Sequence, residues 1–118
     1  MMKRIEFVSD RLIDQIIEGR KTASVVHLDM VDVDEDAYNH ALVVGRYYEV
    51  FDSMRNPRCV IRITGMELCR WDDIPERLWK GEPNQDADEF RADHHDYFDD
   101  PEDDFEFIAY YFHLVTQP

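Results

Sequence analysis

The chain has 118 residues, 44% hydrophobic and 13% aromatic, with a formal net charge of −14 at pH 7. That length suits a single domain over 1–118 with a modest core, and no apolar run is long enough for a membrane-crossing helix. The acidity argues against a general nucleic-acid binder, because polyanion affinity comes mostly from Lys and Arg meeting phosphates.

The charge is unevenly spread. Residues 29–40 carry −5 and residues 72–106 carry −12, while 1–28 and 41–71 are weakly cationic. A nearly neutral scaffold framed by acidic segments suits a small or neutral substrate better than a long RNA, and leaves room for a local RNA-contacting strip. The opening MMKRIEFVSD turns polar too soon for a secretory leader. Cys59 and Cys69, in apolar context without CxxC spacing, read as reduced core thiols of a cytoplasmic protein.

In chain order, IEFV (5–8) reads as a short strand. Ser9 or Asp10 can cap a helix over 10–18, with Leu12, Ile13, Ile16 and Ile17 as its apolar stripe and Gly19 as its stop. TASVVHL (22–28) is strand-like, and 29–43 is a long acidic loop. RYYEVFD (46–52) and RCVIRIT (58–64) flank the turn SMRNP (53–57), so a hairpin is expected. MELCRW (66–71) reads as a further strand after Gly65, which marks a bulge or bend. Asp72 or Asp73 can cap a short helix that has Pro75 near its first turn and points Leu78 and Trp79 inward. Phe90, His94, Tyr97 and Phe98 fall at helical spacing within 86–98. FEFIAYYFHLV (105–115) is aromatic and β-branched, as a central closing strand should be. The sum is an α+β domain: a small, partly closed barrel of five or six strands with two or three helices at its mouth.

Several motifs fail on inspection. Gly19-Arg20-Lys21-Thr22 lacks the upstream glycine and the following helix of a phosphate-binding loop. Asp32, Asp34 and Asp36 have the spacing of a calcium loop, but Ala37 and Val43 stand where glycine and glutamate are needed. His94 and His95 are adjacent and diverge on a helix, so no metal site is expected. What survives is Lys21. A lysine held partly dry can act as a base toward a hydroxyl such as Ser24, provided the chain turns between them, since 21 and 24 face opposite ways on a regular strand. A carboxylate is also wanted. Glu82, between Gly81 and Pro83, sits where a side chain can be aimed into a pocket, although position alone does not single it out from the other acids of 72–106. Tyr47, Phe51 and Trp79 are candidates to stack on a base, and Arg20 is a candidate substrate or solvent contact.

IIEGRKTASVV, then Gly45 before a strand, VIRIT, WKGEP and EFRADHHDYF together resemble the ASCH domain, a branch of the PUA-like β-barrels. The resemblance runs from about residue 5 to about 115. The family's opening signature, G-x-K-x-x-[E/T/S]-x-R, reads here as Gly19, Lys21, Ser24 and Val26, so the arginine is missing. The form GRKT is most similar to that of small bacterial N4-acetylcytidine amidohydrolases. This implies a catalytic set of Lys21, Ser24 and Glu82. It also implies a modified nucleoside as substrate and no cofactor. Val26 in place of the arginine alters the expected substrate contacts. Other family members are associated with RNA binding or cleavage, which implies an alternative: an RNA module using Arg20, Lys21, Arg46 and Arg62 as a cationic strip.

Overall fold

The computed structural model describes residues 3–7, 9–28 and 42–116. All of the expected acidic loop except its last two residues lies outside that range. The elements are β1 (Lys3–Glu6), α1 (Asp10–Ile17), β2 (Ala23–His27), β3 (Tyr47–Phe51), β4 (Pro57–Arg70), α2 (Glu76–Gly81), α3 (Ala87–His94) and β5 (Glu106–Thr116). The five strands form one curled half-barrel sheet in the order β1-β3-β4-β5-β2. β1 runs parallel to β3, and the other pairings are antiparallel.

The β3–β4 hairpin forms where the alternating pattern places it. Its turn is held by Asp52, whose carboxylate accepts from the Asn56 and Met54 backbone N–H groups at 2.9 and 3.0 Å. The segment 66–71 is not a separate strand, so the sheet has five strands. β4 continues through Gly65, with a register irregularity between Ile63 and Gly65 that absorbs an extra residue as a bulge does. The helix expected over 86–98 stops at His94. Its start is fixed by Asp86, which accepts from the Glu89 N–H at 2.8 Å. Beyond it, Asp99 and Asp100 adopt left-handed backbone (φ 59° and 55°) that a helix cannot continue through.

β5 is buried on both faces. Phe107, Ala109 and Tyr111 pack with Leu78 of α2 and Phe90 of α3, while Tyr110 and Phe112 pack with Ile13 and Ile16 of α1. Its near-continuous apolar run has this cause: each face of the strand meets its own helical cover. Cys59 and Cys69 are both buried, free and on the same strand. Ten residues of extended chain separate them by roughly 30 Å, too far to pair. Burial pushes their thiols up to about 11 and about 12, so neither is poised as a nucleophile.

Candidate active site

The edge strands of the half-barrel are β1 and β2, and between them opens a cleft of about 930 Å3. Arg4, Ile5 and Glu6 line it from one edge, and Ser24, Val25 and Val26 from the other. Arg11 and Leu12 of α1 and Asp93 and His94 of α3 complete much of the wall, with Lys21, Glu82 and Tyr110 also bordering it.

Lys21 reaches the cleft because α1 ends abruptly. Gly19 has φ 81°, the Gly19 N–H donates to Ile16 O at 3.0 Å, and the Arg20 N–H donates to Gln15 O at 2.9 Å. This is the paired closure of a glycine-terminated helix, and it reverses the chain before β2 begins. Lys21 donates its own N–H to Gln15 O at 3.0 Å, and regular strand starts only at Ala23. The alternation that would separate residues 21 and 24 therefore never applies to this pair.

Glu82 is delivered by α2. It caps the helix C-terminus, and its N–H donates to Leu78 O at 3.0 Å. The preceding Gly81 lies against β2: a Cβ there would stand 2.6 Å from the Ala23 Cβ, and the Gly81 carbonyl accepts from the Thr22 N–H at 2.9 Å. Only a residue without a side chain lets α2 approach this closely. The approach brings the Glu82 carboxylate onto Lys21, whose ammonium donates to Glu82 Oε1 and, at 2.7 Å, to the Ala23 carbonyl. Both side chains are almost fully buried, at 1% and 6% exposure.

His94 holds the other carboxylate oxygen, with Nε2 2.8 Å from Glu82 Oε2. Its Nδ1 lies 2.7 Å from the Phe90 carbonyl, and its ring stacks on Phe90 with centroids 4.1 Å apart. Burial pushes the Glu82 carboxyl up. The Lys21 ammonium and the His94 contact outweigh burial and hold it below its usual range.

Ser24 faces the same cleft from β2. Its cross-strand partner on β5 is Tyr110, which lines the same cleft. Burial pushes the Tyr110 phenol well above its ordinary value, so it remains a hydroxyl. Among the described residues the Lys21 ammonium donates to the Ala23 carbonyl and Glu82, and not to Ser24.

The expected substrate contacts lie elsewhere. Arg20 is exposed and pairs with Glu18 at 3.0 Å. Tyr47 points away from the core, on the face of β3 opposite Tyr48 and Val50, beneath the Arg62 guanidinium. Trp79 packs against the core on the α2 side, with the Lys80 ammonium 5.7 Å from its ring. None of the three lines the cleft. His94 and Tyr110 do line it, and neither is among the site residues expected from the sequence. His94 is the polar member of an apolar helical stripe, four residues after Phe90, which is a usable signal. Tyr110 carries none, because its facing of Ser24 depends on a pairing across 86 residues.

The open five-stranded half-barrel with its three helices is the small α+β architecture of a PUA-like ASCH domain. The chain belongs to the ASCH domain family, whose family model matches residues 3–116. The fold is similar to the ASCH domain from Lactobacillus crispatus JV V101, with TM-score 0.78, 20% identity and coverage of 98% of this chain and 80% of that one. Protein EF3133 from Enterococcus faecalis V583 superposes with TM-score 0.70 at 21% identity, covering 100% of this chain and 83% of that one. For ASCH from Zymomonas mobilis the values are 0.58 and 11%, covering 96% and 69%. No curated protein matches by sequence.

Proposed function

We propose that the protein is an amidohydrolase that removes the acyl group from N4-acetylcytidine or a related N4-acylated cytosine nucleoside. One observation carries the reading: Lys21, Glu82 and Ser24 share one cleft, with Lys21 and Glu82 joined in a buried ion pair. A cleft of about 930 Å3 has ample room for a nucleoside. Among the described residues its wall carries cations and carboxylates in nearly equal number, as befits a neutral ligand.

In this reading the Ser24 hydroxyl attacks the acyl carbon. The Oγ–C bond forms and the Oγ proton passes into the Lys21–Glu82 pair. The C–N4 bond then breaks, its electron pair stays on N4, and Glu82 protonates N4 as cytidine leaves. Water attacks the Ser24 ester by the same route in reverse, releasing the acid and restoring the hydroxyl. The Tyr110 hydroxyl, across from Ser24 on the same cleft wall, can donate to the charge that develops on oxygen.

The RNA alternative draws less support. In the strip it requires, Lys21 is buried against Glu82, Arg20 pairs with Glu18, and Arg62 donates to the Gly45 carbonyl at 3.2 Å.

The test is release of cytidine from N4-acetylcytidine by purified protein, followed by chromatography. Turnover is expected for the native protein and its loss for Lys21→Ala. Ser24→Ala removes only a half-buried hydroxyl and should keep the fold while abolishing turnover. Native-like activity in either variant, or none in the native protein at high concentration, would sink the reading.

A further inference from the structure

We propose that the Lys21–Glu82–His94 array stores one proton more than a lysine–glutamate pair and a neutral histidine would hold, and that this proton resides on His94. His94 is then a positioning residue that keeps Glu82 charged at rest and supplies it with a proton during the reaction.

The imidazole is fixed between two oxygen neighbours. Nδ1 lies 2.7 Å from the Phe90 carbonyl oxygen and Nε2 lies 2.8 Å from Glu82 Oε2. A carbonyl and a carboxylate are acceptors only, and a neutral imidazole has a single N–H. Either neutral tautomer would press a nitrogen lone pair against an oxygen lone pair at hydrogen-bond distance. The ring has little freedom to avoid this, because it stacks on Phe90 and its side chain is 16% exposed. An imidazolium satisfies both contacts with two N–H donors. The extra proton could instead sit on Glu82, donating to Nε2. The Lys21 ammonium on Oε1 opposes that, because it stabilises the carboxylate.

The charges around the array favour the same state. Among the described residues the cleft wall contains three cations, Arg4, Arg11 and Lys21, against four carboxylates: Glu6, Glu82, Glu89 and Asp93. A charged His94 balances them. Glu89 and Asp93, on the same helix as His94, are held by the Asn84 amide at 3.3 and 2.8 Å. Tyr110 faces the array from β5 as a neutral hydroxyl, and Tyr97 lines the same wall.

The chemical use of this proton rests on the amidohydrolase reading. Glu82 is a carboxylate at rest, so the proton it passes to N4 as the C–N4 bond breaks is drawn from the array, which by then holds both the His94 proton and the one Ser24 Oγ gave up on attack. One proton enters and one leaves, so the count is the same before and after acyl transfer. With His94 already charged, the array can donate to N4 without taking the proton of the Lys21 ammonium, the only one that a lysine–glutamate pair at rest holds.

Two measurements test this. Nitrogen-15 NMR of the histidine ring needs no substrate: both His94 nitrogens should be protonated at neutral pH. Glu82→Gln, whose amide can donate to Nε2, should leave a single N–H. One protonated nitrogen in the native protein would overturn the proposal whatever the enzyme hydrolyses. The second measurement is kinetic. His94→Gln retains a donor for Glu82 but cannot hold an extra proton, so kcat should fall at least about tenfold with KM little changed. The variant's pH profile should lose its alkaline decline, and imidazole should restore activity to His94→Ala. Native kcat and an unaltered profile in His94→Gln would show that His94 is merely structural. If the native protein has no turnover, the amidohydrolase reading fails and the NMR result alone decides the location of the proton.

Discussion

At the scale of single residues, Lys21 and Glu82 show what a buried ion pair does to a small domain. Neither charge meets solvent, and each is held by a second partner, the Ala23 carbonyl for Lys21 and His94 for Glu82. Removing one member of such a pair leaves the other uncompensated, so Lys21→Met should cost about 3–5 kcal/mol. Combining it with Glu82→Gln should recover most of that loss. Urea titrations of the two variants check this, and strictly additive losses would refute it. The pair also sets the acid response. The folded Glu82 carboxyl titrates below its unfolded value, so its contribution to stability is complete above the ordinary carboxylate range. It is lost as pH falls through the lowered folded value. Glu82→Gln should therefore lose less stability than the native protein on acidification. Val26 has a different consequence: with no arginine there, the cations on the cleft wall besides Lys21 are Arg4 and Arg11, from β1 and α1.

Among the elements, the two glycines that build the site act through different physics. Gly19 needs its positive φ, and a Cβ there would meet nothing within 4 Å. Gly81 needs the space, because a Cβ would collide with Ala23. Gly81→Ala is therefore expected to push α2 off β2, costing about 1–3 kcal/mol by overpacking, and to move Glu82 away from Lys21. Thermal melts should show the loss, and turnover in the proposed reaction should fall much further than the melt implies. Gly19→Ala should cost about 1–2 kcal/mol of backbone strain without that disproportion. Equal effects of the two substitutions on activity would contradict this division. The same contrast explains what is legible in the sequence. Gly19 closing an apolar stripe is a local pattern, and so are the β3–β4 hairpin and the capped α3. Gly81 reads as loop punctuation, yet it lies in a helix because its contact is with β2, 58 residues earlier. The β1–β3 parallel pairing and the register of β2 on β5 are likewise long-range, with no local signature. Base-stacking roles for Tyr47 and Trp79 rest on residue type alone. Which face an aromatic presents is decided by strand register and helix docking, and these turn both away from the cleft.

For the molecule as a whole, the dominant electrostatic fact is 27 acidic residues against 13 Lys and Arg. Ion pairs such as Arg70–Asp72, Lys80–Glu76 and Arg20–Glu18 lie on the surface with both members well exposed. Pairs of that kind contribute at most about 1 kcal/mol each. Repulsion among the remaining carboxylates should outweigh them, since self-repulsion destabilises a compact state far from neutrality. Added salt screens both, but the Debye length shrinks from about 10 Å at 0.1 M to about 3 Å at 1 M, so the longer-range repulsion is lost first. The melting temperature should therefore rise with sodium chloride by a few degrees, equivalent to about 1 kcal/mol in a domain of this size. A fall in melting temperature would mean that surface pairing outweighs the repulsion. The buried array is sheltered from mobile ions, so the stability gap between the native protein and Lys21→Met should stay constant across the same salt range. A gap that closed with salt would place Lys21 and Glu82 within reach of solvent, and the dry proton relay on which the proposed chemistry depends would fail with it.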